Sequence, residues 1–285
     1  MFKKAQATAI PIKFLIAGIN GSGKTFTALT MAKPYRNLAV IDAEFGSSQR
    51  YANEFEFDVM SLEDKTPDGY ISAIDLAIES GYDVVILDSI SPEWQSIIEI
   101  GDTMGDGFSK WSKLTPMHNR FLRHLLNCPI PIIATVHLKT SYVVEMNEKG
   151  KNVPRRVGME PVQRDGIYGI FDVVLEMDQY HVGHVIKTRF SGIDGQIIDR
   201  PTSELMEKLI EINSAGMPFH EYEAKRLDGL RGQIRELAKS IYPEEYEARI
   251  LAFSEKAYKK PFPDLGENEL TKFINTLKNK TKQND

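Results

Sequence analysis

Hydrophobic positions follow two alternating patterns up to about residue 138. Short, nearly continuous apolar runs such as "KFLIAG" (13–18) and "YDVVILDS" (82–89) are typical of strands that are covered on both faces. Between such runs lie longer segments with helical spacing, including residues 67–80 and 110–127. Strands that alternate with helices predict an α/β fold, in which a mostly parallel sheet is flanked by helices.

The pattern changes after residue 138 to short pieces typical of hairpins. "SYVVEM" (141–146) predicts one strand, whereas the polar stretch "NVPRRVGMEPVQRDG" (152–166) is typical of a basic loop. "FDVVLEM" (171–177) and "HVGHVIKTRF" (181–190) then predict antiparallel strands. A short helix is expected to close this first unit of the chain.

The remainder of the chain predicts a separate helical unit. We expect an α/β core over residues 1–212, a linker over 213–219 and a small helical C-terminal module over 220–285. An apolar stripe at helical spacing is most simply the core of that module. Its members are Leu265, Leu270, Ile274 and Leu277.

Residues 18–25, "GINGSGKT", fit the pattern G-x-x-x-x-G-K-[ST], directly after a predicted strand and before a predicted helix. The glycines let backbone N–H groups surround phosphate oxygens, and the helix N-terminus adds partial positive charge. Lys24 is placed to reach the β- and γ-phosphates, and the Thr25 hydroxyl to bind Mg²⁺. We therefore predict a nucleotide site. Its residues are Gly18, Asn20, Gly21, Ser22, Gly23, Lys24, Thr25 and Phe26.

Two further carboxylates are expected beside that site. Asp88 ends a buried strand and is predicted to hold the Mg²⁺ through water. In "LAVIDAEFGSS" (38–48), Glu44 follows a strand and precedes a Gly/Ser turn, while Asp42 is predicted to be structural. Because parallel strands end at one rim of the sheet, Glu44 is placed to polarise the water that attacks the γ-phosphate. The alternative is that Glu44 is a solvated turn residue.

Composition argues against a membrane protein and against a disulfide-stabilised protein. The chain has 285 residues, a formal net charge of −5 and a single cysteine, Cys128. No apolar run approaches the ~18 residues that a membrane span requires, so we expect no membrane association. One cysteine excludes an intramolecular disulfide framework and suits the cytoplasm, and its apolar neighbours predict a buried, inert thiol. Mild acidity argues against general coating of nucleic acid but leaves room for a local basic loop.

The order of motifs resembles the phage-type RecA-like ATPases of the AAA_24 kind, which include the Sak-type single-strand annealing ATPases. The resemblance spans about residues 2–210. It implies a RecA-like P-loop core that binds ATP and Mg²⁺, a homo-oligomer (ring or filament) with nucleotide at subunit interfaces, and a role in phage DNA recombination or replication in the host cytoplasm. The motifs are "FKKA", "GSGKTFTAL", "VIDAEFGSSQRYANEFEFDV", "KWSKLTPMHNR", "VPRRVGMEPVQRDGIYGIFDVV" and "KTRF".

The same resemblance implies three roles at named positions. His137 stands where RecA-like proteins keep a polar sensor of the γ-phosphate, although RecA itself has glutamine there; the alternative is an ordinary hydrogen-bonded histidine. Lys187 and Arg189 alternate along a strand, so they share a face, and in relatives such a pair reaches the phosphates of the neighbouring subunit. Two solvated charges are the alternative. Phe2–Ala5 resembles a segment that docks onto the next subunit, and an unstructured terminus is the alternative.

In RecA-like proteins the segment after the sensor strand binds single-stranded DNA. We expect phosphate contacts from six basic residues, with an affinity that falls steeply with salt, and stacking from Phe108 and Trp111. The alternative is a loop that packs on a neighbouring subunit. The partner of the C-terminal module stays open, with a single-strand-binding protein as one candidate. The six basic residues are Lys139, Lys149, Lys151, Arg155, Arg156 and Arg164.

The leading hypothesis is therefore an ATPase that acts on single-stranded DNA, in annealing or strand exchange, with Glu44 activating water. A second hypothesis is a nucleotide-switched DNA- or protein-binding factor with little hydrolysis, such as an accessory of helicase loading or annealing. A small-molecule kinase that uses the same P-loop is a third. It is disfavoured because the basic loop makes a poor lid and the strand ending at Glu44 favours water as the acceptor.

Overall fold

The computed structural model describes residues 10–105, 107–146, 152–214 and 219–284. Nine strands lie within these ranges. They are β1 (Lys13–Gly18), β2 (Leu38–Asp42), β3 (Asp58–Ser61), β4 (Val84–Asp88), β5 (Ile132–Met146), β6 (Asn152–Pro161), β7 (Val173–Met177), β8 (Val182–Thr188) and β9 (Ile197–Asp199). Eight α-helices lie in the same ranges. They are α1 (Lys24–Ala32), α2 (Pro67–Ser80), α3 (Ser91–Thr103), α4 (Trp111–Asn127), α5 (Ser203–Asn213), α6 (Phe219–Ile241), α7 (Tyr246–Tyr258) and α8 (Glu267–Asn284).

All nine strands form one sheet, in the order β3-β2-β4-β5-β1-β7-β8-β9, with β6 paired to β5 outside this path. Neighbours from β3 to β7 are parallel, and β8 and β9 add an antiparallel edge. The P-loop strand β1 lies between β5 and β7, so it is central. This arrangement confirms the α/β fold that the alternating pattern predicts.

Helices cover both faces of the sheet, as the apolar strands require. Leu15 and Ala17 of β1 belong to a core shared with α2 and α4. Phe14 and Ile16 point to the other face and pack in a second core with α1 and α5. A strand buried on both faces has no polar side to show, which explains the continuous apolar runs.

The start and end of α2 show how local sequence sets an element. The Thr66 side chain accepts a hydrogen bond from Gly69 N at 3.3 Å, and Pro67 occupies the first turn. The helix stops at Gly81, whose φ of 82° lies in the left-handed region that favours glycine. The residues that start and stop α2 lie next to it in the sequence, and the predicted bounds of this helix, 67–80, are confirmed.

The segment after residue 138 corrects one prediction. Strand β5 continues without a break to Met146, and β6 occupies Asn152–Pro161, where the sequence predicts a basic loop. The two strands pair antiparallel from Leu138↔Pro161 to Met146↔Asn152. Strand β6 lacks the apolar pattern of a strand, and backbone hydrogen bonds to β5 stabilise it. A prediction from the residues of this segment alone therefore misses the strand.

Helices α6, α7 and α8 surround a third apolar cluster. The four residues of the predicted stripe, from Leu265 to Leu277, are all buried in it. Asn275 Nδ2 donates to the backbone oxygen of Glu79, at 2.7 Å, which links α8 to α2. Residues 215–218 lie outside the described ranges, and the boundary at 213–219 remains a prediction.

Two expectations from the composition concern the single cysteine and membrane-spanning helices. Cys128 is 4% exposed, and burial raises the pKa of its thiol, as expected for an inert cysteine. Within the described residues, no helix combines the length and the apolar character that crossing a bilayer demands.

Candidate nucleotide site

Three glycines shape the connection between β1 and α1, two through their backbone conformation and one through close contacts. Gly21 and Gly23 have φ values of 79° and 85°, in the left-handed region. A Cβ on Gly18 would lie 2.3 Å from Ser22 Oγ and 2.9 Å from the carbonyl oxygen of Met177. The predicted phosphate loop therefore adopts a tight turn at the carboxyl end of β1, immediately before the N-terminus of α1.

Lys24 lies inside this loop. Its side chain is buried, and Nζ donates to the carbonyl oxygen of Ile19 at 3.0 Å. Burial lowers the pKa of Lys24, while the charges of Glu44 and Asp88 oppose that shift. The ammonium group is thus close to both carboxylates and to the loop carbonyl, at the position where a phosphate chain would neutralise it.

Asp88 ends β4 with both carboxylate oxygens occupied. Oδ2 accepts from Thr25 Oγ1 at 2.8 Å, and Oδ1 accepts from Thr135 Oγ1 at 2.6 Å. Burial raises the pKa of Asp88 to about 6, although both hydrogen bonds favour the ionised form. A buried carboxylate that costs free energy to ionise is a good partner for a cation.

The pair formed by Thr25 and Asp88 fits Mg²⁺. Hydroxyl and carboxylate oxygens are the hard donors that Mg²⁺ prefers, and Mg²⁺ commonly keeps several waters instead of a full set of protein ligands. Thr25 would bind the ion directly and Asp88 through water.

Glu44 and His137 are in direct contact. The Glu44 carboxylate is hydrogen-bonded to His137 Nε2, and the two side chains are about one-quarter exposed, at 25% and 26%. Burial alone would raise the pKa of Glu44, but the hydrogen bond with His137 and the charge of Lys24 outweigh it. The pKa of Glu44 therefore lies below its ordinary value, and the carboxylate is ionised at neutral pH.

The order of the strands explains this contact, because β4 alone separates β2, which precedes Glu44, from β5, which carries His137. Gly18 and His137 are paired across β1 and β5, so the sensor position lies beside the start of the phosphate loop. The backbone N–H of His137 donates to Ser91 Oγ at 2.9 Å, which fixes the strand against α3. Glu44 and His137 are 93 residues apart, and no local pattern of the sequence signals their pairing.

Asp42 organises the turn that carries Glu44. Its Oδ1 accepts from the backbone N–H groups of Glu44 and Gly46, at 2.8 and 3.2 Å. Its Oδ2 accepts from the backbone N–H of Ser48 at 3.0 Å. Asp42 is 2% exposed, so it acts inside the protein as a structural carboxylate, in agreement with the expectation from the sequence.

A cavity of about 640 Å³ opens beside the phosphate loop. This volume lies in the range of small-molecule sites. On one side Phe26 packs edge-on against Tyr51 and Phe55, with ring centroids 5.8 and 5.2 Å apart. On the other side His181 Nδ1 lies 3.1 Å from the carbonyl oxygen of Ser22. His181 and Arg200 line the cavity but stand in no recognisable spacing with the P-loop, so the sequence did not predict them.

Comparison with known proteins places this site in a family. The AAA_24 family model, described as an AAA domain, matches residues 10–192, which is more than half of the chain. The chain belongs to the AAA_24 family. Membership of this AAA family, together with the P-loop geometry, indicates nucleotide binding and ATPase activity in general terms. No curated protein matches the chain.

The crystal structure of the RadB recombinase is similar to this AAA_24 chain over part of its length. The two are 18% identical, with a TM-score of 0.44, and the match covers 67% of this chain and 86% of that chain.

The AAA_24 domain places two of the six predicted DNA-binding residues in one cleft. Lys139 and Arg164 share a cavity of about 300 Å³ with Trp94 and Trp111, whose rings are stacked with centroids 5.9 Å apart. Lys139 pairs with Glu160 at 3.2 Å. Arg164 Nη1 is buried and has no hydrogen-bond partner among the described residues.

The other candidates for DNA contact are less defined. Lys149 and Lys151 lie outside the described residues, and so do the side chains of Arg155 and Arg156, whose backbone belongs to β6. Phe108 is 93% exposed in the short turn before α4. The Phe2–Ala5 segment also lies outside the described residues.

Lys187 and Arg189 both contact the segment before β7 in their own chain. Lys187 Nζ donates to the carbonyl oxygen of Tyr168 at 2.8 Å and also to that of Phe171. Burial lowers the pKa of Lys187, and the neighbouring Arg189 adds to this effect. Arg189 pairs with Asp172 at 2.8 Å. The two cations therefore share a side, but neither lies at this chain's own phosphate loop.

Proposed function

We propose that this AAA_24 protein binds ATP with Mg²⁺, hydrolyses it, and acts on single-stranded DNA in phage recombination or replication. The observation that carries the proposal is the ionised Glu44 carboxylate, held by His137 at the sheet edge where Lys24, Thr25 and Asp88 meet. This set combines a phosphate loop, a cation site and an acceptor for a proton of water. Those are the parts that phosphoryl transfer to water requires.

Each residue then has a specific task in hydrolysis. Lys24 stabilises the charge that develops on the transferred phosphoryl group. Glu44 orients the attacking water and accepts its proton, which its low pKa allows at neutral pH. His137 holds the carboxylate and senses whether a γ-phosphate is present. Bound Mg²⁺ supplies further charge neutralisation at the phosphates.

Connectivity supports a link between this chemistry and DNA. His137 is followed directly by the β5–β6 hairpin, and the backbone N–H of Val162, just after β6, donates to the carbonyl oxygen of His137 at 2.7 Å. The cleft with Trp94, Trp111 and Arg164 lies at the same base of the hairpin. Aromatic faces stack nucleobases, and the guanidinium group of Arg164 adds a positive charge that suits a phosphate.

The direct test is the rate of ATP hydrolysis with and without poly-dT, at low and moderate salt. We expect stimulation by poly-dT that fades as salt rises, because phosphate contacts release counterions. The variant Arg164→Ala should lose the stimulation but keep the basal rate. Arg123→Ala, an exposed arginine on α4, is the matched control and should keep both. A rate indifferent to DNA in the unmodified protein would rule out the DNA-coupled cycle.

A second candidate is a nucleotide-switched binding factor with little hydrolysis. It is favoured by the contacts of Lys187 and Arg189 with their own chain, since a neighbour's phosphates can engage them only if these contacts break. Mixing two inactive variants, Lys24→Ala and Arg189→Ala, distinguishes the candidates. If the cations act in trans, mixed oligomers combine an intact phosphate loop with an intact Arg189, and part of the activity returns. No recovery would favour the switched factor.

We infer two further partners, of which the family resemblance implies only the first. One is a second copy of the chain, in a ring or filament with nucleotide at the interface. The other is a single-strand-binding protein that contacts the C-terminal helices. Sedimentation with and without ATP tests the first, and the surface described next gives the second a physical basis.

A further inference from the structure

Helices α6, α7 and α8 form a groove on the C-terminal module, apart from the nucleotide site. Its floor is apolar. Ile250 and Leu277 are buried beneath it, and the rings of Phe253 and Phe273 lie with centroids 4.3 Å apart. The volume of the groove is about 180 Å³. An apolar cavity of ~150 Å³ already admits benzene, so this groove accepts one aromatic or branched aliphatic side chain.

The charged side chains that line the groove are all positive. They are Arg249, Lys256 and Lys280, although the chain as a whole carries a net charge of −5. Lys256 makes no ion pair with any described residue. Lys280 lies over the ring of Tyr242, with Nζ 5.9 Å from its centroid. Arg249 stacks on the same ring and also pairs with Glu245 at 3.1 Å.

The combination of an apolar floor and a cationic rim defines the chemistry of its ligand. Cations at a rim attract an anionic partner and orient it, while burial of one apolar side chain supplies most of the affinity. A nucleic acid satisfies the cations but carries no aliphatic or phenyl side chain for the floor. An acidic peptide with an apolar anchor satisfies both parts.

We propose that this groove binds an acidic peptide segment of a partner protein. One apolar side chain of the peptide inserts over Phe253 and Phe273, and its carboxylates pair with Arg249, Lys256 and Lys280. Such a contact would recruit this ATPase to a partner without involving the nucleotide site.

Fluorescence anisotropy with the full-length protein tests the proposal. The probe is a labelled ten-residue peptide that carries one phenylalanine between two runs of aspartate. We expect saturable binding, and an affinity at least ~10-fold lower when serine replaces the phenylalanine, because truncating an anchor commonly costs more than 1 kcal/mol. Binding should also weaken as salt rises, because the rim charges are exposed.

Two double variants provide a matched comparison. K256Q/K280Q removes two rim charges, one from the last turn of α7 and one from α8. K239Q/K272Q removes two charges outside the groove, one from the last turn of α6 and one from α8. We expect the rim variant to bind at least ~10-fold more weakly and the control within ~2-fold of the unmodified protein. Circular dichroism and the basal ATPase rate should be unchanged in both.

Three outcomes would overturn the proposal. The first is an equal loss in both double variants, which would mean attraction by net charge alone. The second is equal binding of the serine peptide, which would leave the apolar floor without a role. The third is absence of peptide binding together with tight, rim-dependent binding of poly-dT, which would make the groove a nucleic-acid surface.

Discussion

At the scale of single residues, the role proposed for Glu44 predicts that hydrolysis can be lost without loss of ATP binding. We expect Glu44→Gln to lower the rate of ATP hydrolysis by about 10²–10⁴-fold, the usual contribution of a general base. ATP affinity should stay close to that of the unmodified protein, because Lys24 and the phosphate loop are intact. Single-turnover hydrolysis and binding of a fluorescent ATP analogue measure the two quantities. Glu63→Gln, at an exposed position, is the control, and full turnover by Glu44→Gln would remove its assigned role.

The contact between His137 and Glu44 predicts a shift in pH dependence. The hydrogen bond from His137 lowers the pKa of Glu44, whereas burial acts in the opposite direction. In His137→Ala the burial remains and the hydrogen bond is lost, so the pKa of Glu44 should rise. The base must be ionised to accept a proton, and the acid limb of the kcat profile should therefore move to higher pH.

This shift distinguishes a positioning role from a merely structural one. His184→Ala, a half-exposed histidine on β8, is the control and should leave the acid limb in place. A lower kcat with an unmoved acid limb in His137→Ala would mean that His137 does not set the ionisation of Glu44.

The sequence alone predicts the site residues that belong to contiguous motifs. It misses the contacts that form between segments far apart in the chain. Lys24 and Thr25 belong to a contiguous motif, and Asp88 ends a strand whose burial is visible in its composition. The pairing of His137 with Glu44 depends instead on the strand order β2-β4-β5, which is a long-range property. His181 approaches the phosphate loop from the turn between β7 and β8, again without any local signal.

At the scale of elements, the contrast between α2 and β6 is instructive. The residues that cap α2, Thr66 and Gly81, are its immediate neighbours in the sequence, so the bounds of α2 are predictable from sequence. In strand β6, four of the five residues of "NVPRR" are polar or proline, and its backbone pairs with β5. Its existence therefore follows from tertiary structure, which residue patterns of one segment do not encode.

A buried polar cluster fixes the end of that hairpin to the nucleotide-binding core. Gln163 Nε2 donates to Glu93 Oε2 at 2.9 Å and to the carbonyl oxygen of Ile90 at 3.0 Å. The other oxygen of Glu93 lies 3.1 Å from His118 Nδ1. Glu93 and His118 are 0% and 1% exposed. The base of the hairpin is thus tied to the start of α3 at Ser91, three residues after Asp88.

Removing Gln163 should loosen this connection. Gln163→Ala removes the hydrogen bonds to a buried carboxylate oxygen and to the Ile90 carbonyl, and we expect a loss of about 1–3 kcal/mol in the free energy of unfolding. Urea unfolding measures it. Gln196→Ala is the control, because the Gln196 side chain is exposed and donates to the Gly192 carbonyl at the surface, and its effect should stay within ~0.5 kcal/mol. Equal effects of the two variants would show that the cluster does not stabilise the fold.

At the scale of the whole molecule, the apolar cores are distributed unevenly along the chain. Two cores sandwich the sheet, and a third is built only from residues of α6, α7, α8 and their connections. A cluster that draws all its buried members from one contiguous stretch can form without the rest of the chain. The single side-chain hydrogen bond from Asn275 to the Glu79 carbonyl is weak compared with such a core.

We therefore predict that a chain ending at Ser214 folds and binds ATP with an affinity within ~2-fold of the full-length protein, since every residue assigned to the nucleotide site lies before that point. Limited proteolysis should cut first within 213–219, and the released fragment of residues 219–285 should remain helical by circular dichroism. The two cores that sandwich the sheet contain no residue of the third core. In calorimetry, the shortened chain should therefore melt close to the temperature at which the sheet-containing part of the intact protein melts. Aggregation of the shortened chain, or a fall in ATP affinity beyond ~10-fold, would mean that the helices and the sheet fold as one cooperative unit.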